Sequence, residues 1–161
     1  MGSWRVSKDI LQEAQEKAKA MGPLRGSILK GQGNVAGFVG KIVLFKLLQA
    51  HFPDVAYIES SNLKIAGKRI AVRVKQRTVP PQPFYNCSVT HTSLKKEKFD
   101  YFAFCQISED MKEFWLLGFI SWDRLMREGF DLAKGEKDGR FTVRESCKNI
   151  KIGDLEESFT F

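Results

Sequence analysis

Residues 62–75, NLKIAGKRIAVRVK, constrain this chain more than any other stretch. Two β-prone runs, residues 62–66 and 68–78, flank Gly67-Lys68, which marks a tight hairpin. In the second run Ile70, Val72 and Val74 share one face. Ala71, Arg73 and Lys75 share the other, because strand side chains alternate. A strand apolar on one side and basic on the other therefore sits near the middle of the chain.

The segments around it read as alternating helix and strand. Residues 101–107, YFAFCQI, are apolar throughout, as in a central strand covered on both faces, and residues 114–121 are its expected partner. Residues 35–49 place Phe38, Ile42, Phe45 and Leu48 at helical spacing, with Asn34 as cap, and this helix should pack on the sheet. A more charged helix is expected over residues 5–21, capped by Ser7 or Asp9, with Ala14, Ala18 and Met21 as its stripe and Gly22-Pro23 as its stop. Residues 24–34 read as loop, 55–60 as a first strand and 85–90 as a short strand. Pro80, Pro81 and Pro83 form a rigid crossing between them. Residues 122–128 are expected to be helical and 129–137 a loop. Residues 140–145 and 149–152 read as weak strands and 154–159 as a terminal helix or tail. No repeat or low-complexity linker interrupts the chain. The expectation is one α/β domain over residues 1–161, with a central mixed sheet of about five strands and helices on both faces.

Composition narrows the function classes. At 161 residues and 43% hydrophobic, the chain can bury a sizeable core. The longest apolar run, residues 35–48, is interrupted by Lys41 and Lys46, so no membrane span is expected. With no hydrophobic signal core at the start, the expected location is the cytoplasm. Cys87, Cys105 and Cys147 form no C-x-x-C pair, and His51 and His91 lack ligand spacing, so neither a zinc site nor a disulfide framework is expected. The net charge of +7 points to an acidic partner, with nucleic acid the commonest; the bland alternative is a basic solvated surface.

Three segments together resemble the PD-(D/E)XK nuclease superfamily in its phage and prokaryotic form. Residues 33–48, GNVAGFVGKIVLFKLL, are similar to its first core helix, which reads Gly-x-x-Gly-Glu before an apolar run. Residues 62–75 resemble the hairpin Asp-Leu-x-Val-x-Gly-Lys-x-Ile-Glu-Val-Lys, and FDYFAFCQI with FWLLGFIS resembles the following strand pair. The resemblance spans about residues 30–122 and implies a restriction-endonuclease-like core.

Nucleases of this kind hold divalent cations on carboxylates and so activate water against a phosphodiester. Carried over by position, the helix glutamate falls on Lys41, the aspartate on Asn62, the second glutamate on Ala71 and the lysine on Arg73. A register two residues later retains the lysine as Lys75 but puts Arg73 at the acid. Hard cations want anionic oxygens. A site of Lys41, Arg73 and Lys75 would instead repel a metal and suit a phosphate. No metal or other cofactor is therefore expected. Glu59 is the one candidate for a relocated acid, with Asp54 a weaker one in a turn.

The leading expectation is a catalytically degenerate nuclease-fold protein that binds nucleic acid, DNA foremost, through Lys41, Arg73 and Lys75 with Lys95, Lys96 and Lys98. Trp4, Tyr85 and Trp122 are candidate stacking aromatics. Two alternatives stand beside it. One is an active magnesium-dependent endonuclease centred on Glu59; the other is a regulatory or structural module that binds a protein partner. Taken singly, each basic residue reads more readily as a solvated lysine or arginine on a strand or helix surface; it is their coincidence at the positions of one motif that points to a site.

Overall fold

The computed structural model describes residues 2–21, 32–58 and 62–159. In chain order the elements are β1 (Ser3–Arg5), α1 (Lys8–Met21), α2 (Gln32–Gln49), β2 (Ala56–Ile58), β3 (Asn62–Ile65), β4 (Lys68–Arg77), β5 (Asn86–Thr90), α3 (His91–Lys96), β6 (Tyr101–Ser108), β7 (Glu113–Ser121), α4 (Trp122–Glu128), β8 (Phe130–Leu132), β9 (Lys137–Asp138), β10 (Phe141–Thr142) and β11 (Cys147–Lys151). A 3₁₀ turn, Ile152–Asp154, follows. The chain is α/β. Its main sheet has six strands in the order β1-β7-β6-β4-β3-β2, mixed because β4 and β6 run parallel while the other neighbours are antiparallel.

Helices α1 and α2 cover one face of this sheet. The Ser7 hydroxyl accepts the Ile10 N–H at 3.2 Å, and this starts α1 at Lys8. The helix is shorter at its start than the sequence suggests, because residues 3–5 pair with β7 and Trp4 packs on Phe114. Helix α2 begins at Gln32, so Asn34 lies inside its first turn and is not the residue before it. Its Val39, Ile42, Val43, Leu44 and Leu48 join Ile70, Val72, Ala103, Cys105 and Ile107 in a buried cluster. Burying each such side chain contributes about 1.5–3 kcal/mol.

The hairpin forms as expected, with its turn one residue earlier, at Ala66-Gly67. Ile65 pairs with Lys68, and both turn residues have positive φ, +50° and +78°. Those values belong to a two-residue turn of the primed type, whose twist matches the strands it joins. Asp54 fixes this turn: its carboxylate accepts the Ala66 N–H at 3.0 Å.

The other face differs from the expected layer of helices. A second sheet, β5-β11-β8, covers it together with α4 and the short α3. Ala71, Phe102, Phe104, Ile120, Leu125, Cys87 and Ile150 form the core between the layers. Strand β8 lies where the sequence suggests loop, because its hydrogen-bonding partner, Cys147–Asn149, is distant in the chain. The C-terminal segment is a tail, and its Phe159 packs on Phe119 and Tyr101. No helix among the described residues is long and apolar enough to cross a membrane.

Candidate functional site

Strand β4 carries the candidate site because its alternation continues past the hairpin. Ile70 and Val72 point to the helical layer, while Ala71 joins the core on the other face. Arg73, Lys75 and Arg77 follow Ala71 at every second position and line the gap between the two sheets. A cavity of about 270 Å³ there is bordered by these three cations with Cys87, Phe104 and Leu117. It adjoins an open cleft of about 780 Å³, reached by Lys75 and Arg77. Phe84, Tyr85, Arg140 and Phe141 also line that cleft.

The guanidinium of Arg73 lies 6.0 Å from the Phe102 ring centroid and donates to the Val72 carbonyl at 3.2 Å. Arg77 sits over the Tyr85 ring at 4.7 Å. Burial lowers the Arg73 pKa, opposed by the charge of Glu97. Lys75 is open to solvent by area, yet the protein around it lowers its pKa. Burial acts first, then the like charge of Arg77, with Asp138 opposing. Among the described residues, no carboxylate makes an ion pair with Lys41, Arg73, Lys75 or Arg77.

The other candidate positions are placed as follows. Asn62 starts β3, and its Oδ1 accepts the Val72 N–H at 3.2 Å. It thereby satisfies the backbone of β4 at the point where β3 stops pairing, a structural use of the amide. Ala71 is fully buried and carries no functional group. Lys41 sits on α2, which covers the opposite face of the sheet from Arg73. Burial brings its pKa down to about 8, with repulsion from Arg73 the next cause, so the two cations sense each other across the sheet. β3 pairs with β4 only as far as Ile70, so beyond it no described strand stands between the two layers on that side. Glu59 lies outside the described residues. Asp54 is occupied at the hairpin turn.

Lys95 and Lys96 end α3 and are exposed, as is Lys98. The Lys98 carbonyl accepts from Arg69, which places these lysines at the far end of β4, about 13 Å along the strand from Arg73. They form a separate patch. Of the aromatics singled out in the sequence, Trp122 stacks on Phe102 and Trp4 packs on Phe114, whereas Tyr85 lines the cleft. Arg77, Phe84, Arg140 and Phe141 escaped the sequence reading. The one available signal was the period-two alternation, which runs on from Arg73 and Lys75 to Arg77.

Other chemistry is limited. All three cysteines are free and buried, and burial pushes the Cys87 thiol up to about 12, far from a reactive thiolate. Among the described residues no group of three His, Cys, Asp or Glu side chains converges as a metal site would require. Compared with protein-family models, curated proteins and solved structures, the chain gave no match.

Proposed function

We propose that this chain is a catalytically degenerate protein of the PD-(D/E)XK nuclease type that binds nucleic acid through the basic face of β4. The observation that carries the reading is the row Arg73, Lys75 and Arg77. Three cations sit on one strand face beside a cavity, none ion-paired to a carboxylate among the described residues. Burial lowers the Arg73 pKa, and burial with the like charge of Arg77 lowers that of Lys75, so the row favours an anion beside it. A bound phosphate would supply that anion.

The mixed sheet with its parallel β4–β6 pair, the β3–β4 hairpin and the apolar α2 supports a restriction-endonuclease-like core. The donor chemistry supports loss of catalysis. At the positions where such enzymes carry acids, this chain has a cationic Lys41, a backbone-bonded Asn62 amide and a buried Ala71. The reading places Arg73 and Lys75 at the phosphate, adds Arg77, and leaves Lys41 a secondary role through its charge.

Fluorescence anisotropy with labelled DNA and RNA at 50 mM salt tests it. The change Arg73→Glu, Lys75→Glu, Arg77→Glu should remove most binding. Reversal of the exposed Lys19 and Lys46, on the helices of the other face, should change it less than threefold. Equal losses in both variants would make the binding diffuse and sink the site. DNA cleavage with magnesium that disappears in Glu59→Ala would replace the proposal with an active nuclease.

A further inference from the structure

The described residues expose five large apolar side chains, and three of them, Val79, Phe84 and Phe141, line the open cleft beside Lys75 and Arg77. Phe84 and Phe141 are each 66% exposed. Isolated exposed apolar residues need no explanation, but a cluster rimmed by charge marks a binding surface. The cleft lies within the ~300–1,000 Å³ range of small-molecule sites.

Its walls are built. Phe84 packs edge-on against Tyr85 with centroids 5.1 Å apart, and Arg77 covers the Tyr85 ring. The fully buried Gln106 donates to the Val79 carbonyl at 2.8 Å and so holds that wall in place. Opposite stands the β9–β10 hairpin, which carries Asp138, Arg140 and Phe141. The cleft's charged groups are Lys75, Arg77, Arg140 and Asp138, three cations against one carboxylate, and the Asn86 amide donates to that carboxylate at 3.0 Å.

We propose that this cleft binds single-stranded nucleic acid, stacking unpaired bases on Phe84 and Phe141 while Lys75, Arg77 and Arg140 hold the flanking phosphates. The inference rests on the nucleic-acid reading above and specifies its ligand. A duplex keeps its bases stacked on one another, so their faces are closed to these phenylalanines. A single strand offers a base face with every phosphate. A purely acidic segment would match the charge but not the exposed rings.

The test compares a labelled single-stranded 12-mer with a hairpin duplex of the same sequence, at 50 mM salt, in wild type and in Phe84→Ala, Phe141→Ala. The single strand should lose at least tenfold in affinity and the duplex less than twofold. Phe84→Leu, Phe141→Leu, which retains apolar volume without a π face, should show the same selective loss, with thermal melting to verify folding. Phe84→Trp should retain binding and show quenched tryptophan fluorescence with the single strand only. Equal binding of both forms, unaffected by the phenylalanine changes, would overturn this inference and leave the parent reading standing. Binding of neither form would remove both. Displacement of the single strand by polyglutamate at equal charge concentration would reassign the cleft to an acidic protein segment.

Discussion

Gly40 of α2 lies directly against Val74 of β4. A Cβ placed on Gly40 would meet the two Val74 methyl carbons at 2.6 and 2.7 Å. The missing side chain lets the helix settle close to the sheet just where β4 begins its basic row. Three residues earlier, Gly37 faces open space. The two glycines should therefore respond oppositely to alanine. Gly37→Ala should stabilise by ~0.5–1 kcal/mol, the ordinary helix-propensity gain. Gly40→Ala gains the same term but overpacks a stiff β-branched neighbour at a cost of ~1–3 kcal/mol, for a net loss. Chemical denaturation of both variants reads the sign directly.

Next to Gly40, Lys41 has a pKa brought down from 10.5 to about 8. The unfolded chain binds its proton up to about pH 10.5 and the folded chain only up to about 8, so stability rises with pH across that window. Below pH 8 the buried charge works against the fold in full. Lys41→Met retains the aliphatic stem and removes the charge, and should add ~1–3 kcal/mol at pH 7 after allowing for partial solvation. The gain should fade toward pH 10.5. Urea denaturation at pH 7, 9 and 10.5 would show it, and a gain constant across pH would mean that Lys41 is not strained.

Ala66 occupies a turn position with φ of +50°, where an alanine side chain is crowded. Ala66→Asn supplies the residue that such turns prefer before glycine and leaves the backbone bond to Asp54 intact. It should stabilise by ~0.5–1 kcal/mol, seen as a rise of a few degrees in melting temperature. Asp54→Ala should do the reverse, losing about 1 kcal/mol with the Ala66 N–H unpaired.

Binding through Arg73, Lys75 and Arg77 alone should give log Kobs a slope of about −2.7 against log salt on duplex DNA, from roughly −0.9 per phosphate neutralised. Between 50 and 200 mM salt that is a loss of about fortyfold. Each single substitution by glutamine should flatten the slope by about 0.9. Anisotropy titrations at four salt concentrations measure both. A steeper slope would show that further cations, Arg140 or the patch of Lys95, Lys96 and Lys98, engage the same molecule, and glutamine substitutions at each would tell them apart.

Local pattern was enough for several elements. Residues 122–128 are helical as read, with Ser121 capping Arg124 at 3.1 Å, and the hairpin, α2 and β6 stand where periodicity puts them. Arg73 and Lys75 of the row on β4 were legible for the same reason, since alternation is a property of a strand's own backbone, and Arg77 extends that alternation by one step. Strands β1 and β8 were not legible. Three-residue strands carry little pattern, and β1 pairs with β7 more than a hundred residues away along the chain. The sequence set Lys41 beside Arg73 because a single motif contains both positions. The structure sets them on opposite faces of the sheet and joins Arg73 instead to Lys75 and Arg77 around a cavity beside Cys87 and Phe104, while Lys75 and Arg77 reach on to the cleft walled by Phe84 and Phe141. Which side a residue faces is fixed by short-range geometry. Which distant residues meet there depends on how the layers pack, and that is decided by burial summed over the whole chain.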